Sequence, residues 1–171
     1  RPLGMIKPLI GFTPIGFIRR EHICAERTPI QPVFARECEG RVEILPEFAE
    51  GLLDLDGFSH VYLIYHLDRA ERPKLRVRPF LQDVERGIFA TRYPARPNAI
   101  GLSVVELLGI DGRILHFRGA DILDGSPLLD IKPFIAKFDC IEPSRNGWYD
   151  EVDAETAQRR GLREYCKGKQ S

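Results

Sequence analysis

The sequence predicts a mainly β fold, an antiparallel β-barrel of short strands with few helices. Three observations point there. Thirteen prolines and fifteen glycines punctuate the chain, the runs between them are rich in β-branched and aromatic residues, and helical periodicity is scarce before the C-terminus. Many short strands with few intervening helices favour a closed antiparallel sheet over alternating β and α units.

In chain order, extended segments are expected near Ile10 to Ile18, Arg41 to Ile44, Phe58 to Leu67, Leu75 to Arg78, Ile88 to Thr91, Ile100 to Leu108 and Arg113 to Arg118. Between the last two, Ile110-Asp111-Gly112-Arg113 puts Asp-Gly at the centre, the pair favoured where both central residues of a hairpin turn need positive φ. A C-terminal helix is expected over Ala154 to Lys167, with Asp153 as N-cap, Glu155 in the first turn and Gly161 weakening the middle. The chain divides into an N-terminal extension or remnant (1–8), a barrel domain (9–140) and a C-terminal segment with the short helix (141–171).

At 171 residues, with 43% hydrophobic and 29% charged content, one buried core is expected and a disordered or fibrous chain is excluded. No apolar run approaches the roughly 20 residues a membrane helix needs, so no membrane association is expected. Cys24, Cys38, Cys140 and Cys166 lack zinc or redox spacing and read as incidental or buried thiols, from which a cytoplasmic location follows.

Charge sums to zero, 25 basic against 25 acidic residues, but its distribution is uneven. From Arg69 to Arg96 eight basic residues face three acids, a balance of +5, whereas Glu37 to Asp56 holds seven acids against Arg41, a balance of −6. A local basic stretch steers a polyanion even on a neutral protein. The alternative is two solvated loops that pair with each other.

The densest chemistry lies in the loop from Ala90 to Ser103. Pro94 and Pro97 fix their own φ and bias Tyr93 and Arg96 toward extended conformations, so the loop is stiff. It presents Arg92, Arg96, Tyr93 and Asn98, groups suited to carboxylates, phosphates or base edges. A second grouping, Gly119 to Phe134, sets Asp121, Asp124, Asp130 and Lys132 among apolar residues, where charge needs a partner or a function; Asp130 and Lys132 can also be an ion pair on one strand face. In a third, Asp54 and Asp56 lack the rest of a calcium loop. His60 and His66 share a strand face, which suits a cupin-like metal site or ordinary packing, and the latter is the expectation, with no metal. His116 has no evident partner. Glycine-rich nucleotide loops, a P-loop, a nucleophile elbow and local Ser-His-Asp or Cys-His signatures are missing.

Residues Leu9 to about Asp139 resemble the TsaA/TrmO-like family. The resemblance rests on Thr13-Pro14-Ile15-Gly16-Phe17-Ile18, on Gly51 to His60, on Gly87 to Ser103 and on Gly119 to Phe134, in that order. Tyr93, where a small Ser is usual, Ala95, Ala99, and Phe134 in place of Tyr depart from the family pattern. The family resemblance implies a β-barrel methyltransferase that uses S-adenosylmethionine to methylate threonylcarbamoyl-adenosine beside the tRNA anticodon, working as a homodimer with its site at the subunit interface. It places cofactor contacts at Gln31, Pro32, Val33, at His66 to Arg69, at Arg92 and Leu102, and at Asp121, Ile122 and Asp124. Arg92, Arg96 and Asn98 are expected to hold substrate. Asp130 is expected to take or orient the proton on the exocyclic nitrogen, anchored by Lys132. Alternatives are another methyl acceptor, or a barrel that binds cofactor or RNA without turnover.

Overall fold

Strand by strand, the chain buries alternate residues. The structure, a computed structural model, describes residues 9–20, 38–120, 122–153 and 155–156. Its strands are β1 (Gly16–Arg20), β2 (Glu39–Ile44), β3 (His60–His66), β4 (Arg76–Val77), β5 (Arg86–Gly87), β6 (Ile100–Asp111), β7 (Ile114–Arg118) and β8 (Pro127–Pro133). Six of them close into a barrel in the order β1-β2-β7-β6-β3-β8, every pairing antiparallel, and β4 and β5 form a separate two-stranded flap. Closure removes the exposed edges that an open sheet leaves.

On β3, Val61, Leu63 and Tyr65 point inward, and on β6 Gly101, Ser103 and Val105 do the same. They meet Ile18, Val42, Ile44, Leu115, Phe117 and Leu128 in one core. Gly101 is required there, because a Cβ at that position would run into the Tyr65 ring. Tyr65 keeps its hydroxyl satisfied inside the barrel by a 3.1 Å hydrogen bond with Ser103 Oγ. The outward set of the same strands, Tyr62, Ile64, Leu102 and Val104, makes an apolar outer face.

Several expectations are corrected. The first strand starts only at Gly16 and runs to Arg20; Pro14 has no N–H to give, and pairing begins with Ile15 N donating to Leu128 O at 2.8 Å. Ile88 to Thr91 is not extended but a 3-10 turn at Ile88–Ala90, closed by the Thr91 N–H and hydroxyl, both donating to Ile88 O at 3.1 and 2.9 Å. The hairpin is present but one residue later: Asp111 pairs with Ile114 around Gly112-Arg113. Gly112 has φ +58 and Asp111 does not share it, so glycine leads the turn, as in type II′. β8 went unforeseen as a full strand; it begins on Pro127, a position that tolerates a missing donor.

The barrel is followed by a one-turn helix α1 (Ala136–Asp139) and a 3-10 turn at Gly147–Glu151. Of the helix expected over Ala154 to Lys167, Glu155 and Thr156 are described and both are helical; the rest lies outside the described residues. Asp153 caps it as expected, accepting from the Thr156 N–H at 2.6 Å. No helix among the described residues is long and apolar enough to cross a membrane.

Opposite charges sit at opposite ends of β3. Glu47, Glu50, Asp54 and Asp56 precede its start, on 3-10 turns at Pro46–Leu52 and Leu55–Gly57 and the link between them; the basic flap follows its end. Among the described residues no ion pair joins the two stretches, so the mutual-pairing alternative fails.

Candidate functional site

The site is built where three chain segments meet at the basic end of the barrel. β3 runs out into Leu67-Asp68-Arg69-Ala70, β6 begins at Ile100, and a turn at 122–126 leads into β8. Leu67 N donates to Ala99 O at 2.8 Å, which ties the first two. The turn is tied twice: Arg69 Nη2 donates to Asp124 O at 2.6 Å, and the Asp124 carboxylate accepts from Arg20 N at 2.9 Å. Gly125, at φ +79, reverses the chain there and donates to Ile18 O at 2.7 Å.

Between them lies an open cleft of about 940 Å³. Its floor is the barrel rim: Tyr65, Gly101 and Ser103 from the inside, Tyr62, Leu102 and Val104 where the cleft turns onto the outer face. Ile122, Leu123 and Ser126 form one side, and Arg69 and Arg92 bring the cations. That size and mixed lining suit a nucleoside-sized ligand bearing a carboxylate.

The flap makes the far wall. Its loop contributes Pro79, Phe80 and Leu81, and Tyr93 stacks on Phe80 with centroids 5.5 Å apart and planes at 24°. Arg96 holds the loop from within: its Nη1 donates to the carbonyls of Ile88, Thr91 and Tyr93 at 3.2, 2.6 and 3.4 Å. Ala95 is buried beside it and accepts from Lys74 N at 3.0 Å. The wall is then pinned by the turn at Gly147–Glu151. Trp148 Nε1 donates to Ala90 O at 2.8 Å, its ring lies under the Arg86 guanidinium, and Tyr149 stacks on it at 4.0 Å. Trp148 and Tyr149 both line the cleft. Sequence reading missed this wall, although a Trp-Tyr pair after Asn-Gly was the available signal.

Of the residues singled out from sequence, the cleft gathers Arg69, Arg92, Arg96, Leu102 and Ile122, with Asp124 held against Arg69. His66, the last residue of β3, is exposed and adjoins Leu67 in the lining. Asn98 is exposed in the same loop and is not part of the lining. Gln31, Pro32, Val33 and Asp121 lie outside the described residues. Asp130 and Lys132 form the strand-face ion pair, Nζ to Oδ2 at 2.9 Å, while Asp130 Oδ1 accepts from Ile131 N at 2.9 Å. They border the cleft and do not line it: Asp130 pairs with Ile64, which pairs on its other side with Leu102, and Lys132 pairs with Tyr62. The Tyr62 phenol is held above the usual tyrosine range by desolvation first and by its hydrogen-bonded neighbour Asp139 second. His60 and His66, on one face, are too far apart to share an ion, six residues at about 3.3 Å each. No cluster able to hold a metal occurs among the described residues.

Residues 17–140 match the tRNA-methyltransferase O N-terminal domain. The chain belongs to that family. A probable S-adenosyl-L-methionine-binding protein of Pyrococcus abyssi is 49% identical over 148 residues, covering 86% of this chain and 80% of the relative. The human tRNA (adenine(37)-N6)-methyltransferase is 34% identical over 150 residues, 81% of this chain but 34% of the human protein. The crystal structure of TrmO from Pseudomonas aeruginosa superposes with a TM-score of 0.65 at 30% identity, covering 91% of this chain and 80% of that one. The region matching the tRNA-methyltransferase O domain ends at residue 140, so Trp148 and Tyr149 close the cleft from beyond it.

Proposed function

We propose that this protein transfers the methyl group of S-adenosylmethionine to the exocyclic nitrogen of adenosine beside the tRNA anticodon, in its threonylcarbamoyl form. Family membership makes the chain an S-adenosylmethionine-dependent methyltransferase. The acceptor is the finer step, and one observation carries its adenosine: a relative aligned over 81% of this chain is named a tRNA (adenine(37)-N6)-methyltransferase. The cleft at the basic end of a neutral protein agrees with it.

The residues fit the cofactor. Leu102 and Ile122 offer apolar surface, and Arg92, exposed with no partner among the described residues, suits a carboxylate. When bound, the sulfonium supplies an electrophilic methyl for in-line displacement, so the protein's share is orientation and exclusion of water. Arg69 fixes the turn at 122–126 against the end of β3. The loop stapled by Arg96 and pinned by Trp148 gives Arg92 a rigid mount. Asp130, steadied by Lys132, takes the proton released from nitrogen; lying on the outer face, it serves a site completed by a second subunit packed on β3, β6 and β8.

A cofactor-binding barrel without turnover is the competing reading, since the archaeal relatives are named as binding proteins. Incubating tRNA with methyl-labelled S-adenosylmethionine decides. Label on the adenosine next to the anticodon is expected, and only when that adenosine carries the threonylcarbamoyl group. Cofactor binding with no label on tRNA overturns the assignment.

A further inference from the structure

Eight basic residues lie between Arg69 and Arg96, and the structure separates them by what they touch. Lys74 pairs with Glu71 at 2.6 Å, Arg76 with Glu85 at 3.2 Å, Arg86 with Glu151 at 3.2 Å and Arg69 with Asp68 at 3.6 Å. Arg96 turns inward to three carbonyls. Arg72, Arg78 and Arg92 remain, all exposed and without an acidic partner among the described residues. Arg92 opens into the cleft; Arg72 and Arg78 do not line it and stand on either side of β4 in the chain. The same segment exposes Phe89 at 77% and Leu75 at 68%, their stretches joined by Ile88 N donating to Leu75 O at 2.9 Å.

Exposed guanidiniums without partners interleaved with an exposed aromatic ring are the makings of a nucleic-acid surface: phosphates take the charges and an unstacked base takes the ring. Because the whole chain is neutral, no bulk charge attracts a polyanion, and any such attraction must be local. The acidic end does not cancel it. The seven residues of β3 separate the two ends by roughly 20 Å, beyond the Debye length of about 8–10 Å at physiological salt.

We propose that the β4–β5 flap is the platform for the RNA backbone, with Arg72 and Arg78 on phosphates and Phe89 under an unstacked base, of the strand whose target base enters the cleft. This rests on the tRNA reading above. Arg92, facing the cleft, belongs to the site and not to the platform.

The test is fluorescence anisotropy with a labelled anticodon stem-loop RNA over about 50–300 mM KCl, with cofactor affinity measured in parallel. For the wild type, log affinity falls linearly with log salt. Arg72→Gln and Arg78→Gln are expected to flatten that slope by about 0.7–0.9 each, and to weaken binding near 0.1 M salt by about five- to tenfold each. Phe89→Ala is expected to weaken binding by about tenfold with the slope unchanged. Cofactor affinity stays at the wild-type value in all three. Lys137→Gln removes the same charge from exposed α1, which follows the strand leading to the acidic end, and is expected to change nothing. Unchanged slopes for the two arginine variants, or an equal effect of Lys137→Gln, overturn the platform while leaving the tRNA reading intact; unchanged affinity for Phe89→Ala overturns the stacking contact. Failure of the wild type to bind the RNA at all overturns the tRNA reading and the platform with it.

Discussion

Arg96 directs Nη1 at three carbonyls of its own loop, whereas Arg92, four residues earlier, lines the cleft with no partner among the described residues. The two guanidiniums therefore separate by task. Replacing Arg96 with Ala leaves three carbonyls without their shared donor, and the loop is expected to lose about 1–2 kcal/mol, seen as a fall of a few degrees in Tm. Arg92→Ala is expected to leave Tm nearly unchanged and to weaken S-adenosylmethionine binding about tenfold or more, read by calorimetric titration. A loss of stability confined to Arg92→Ala would reverse the assignment. The sequence reading placed Arg92 on the cofactor and Arg96 on the substrate; it missed the hold of Arg96 on its own loop, because backbone carbonyl acceptors leave no trace in residue identity. Tyr93 was equally opaque: its partner Phe80 lies across the flap, a contact that no local spacing announces.

Strands with clean alternation, such as β3 and β6, were legible because burial on one face imposes a period of two. β8 was obscured since its prolines and the Asp130–Lys132 pair interrupt that pattern, and Ile88 to Thr91 misled because β-branched composition cannot reveal that the Thr91 hydroxyl closes a turn. Least legible was the turn at Gly147–Glu151, which takes its meaning from docking on Ala90. Its clasp is Asp150, whose carboxylate accepts from the Asn146 N–H at 3.0 Å and from Asn146 Nδ2 at 2.8 Å. Those two bonds, the backbone one first, hold its pKa below the usual aspartate range despite desolvation. A lowered folded pKa means the contribution is complete above the unfolded pKa and is lost as pH falls through the folded one. Trp148 is the sole tryptophan, so its emission reports the docking. On acidification the emission is expected to shift to the red with a midpoint below that of an ordinary aspartate, and Asp150→Asn should abolish the step. A wild-type transition at or above the ordinary value would sink the clasp.

At the scale of the whole molecule, the outer face of β3 and β6 leaves Ile100, Leu102 and Val104 exposed at 40%, 58% and 37%, next to the Asp130–Lys132 pair and continuous with the cleft. Contiguous apolar surface rimmed by charge is the mark of an interface. In the dimer proposed above, a two-fold pairing through this face would bring the same patch of each subunit together, and Asp130 of one subunit would serve the cleft of the other. Two consequences can be measured. If the proposed dimer forms through this face, Val104→Glu is expected to shift the protein from dimer to monomer in sedimentation and to remove methyl transfer with the barrel still folded. Arg92→Ala and Asp130→Asn, each strongly impaired alone when cofactor is held well below its wild-type Kd, are expected to complement when unfolded together and refolded as a mixture. Half the dimers are then mixed, each with one site bearing both defects and one bearing neither, so about a quarter of wild-type activity returns. If Arg92 and Asp130 serve the same site from the same subunit, every site in the mixture carries one defect and no activity returns.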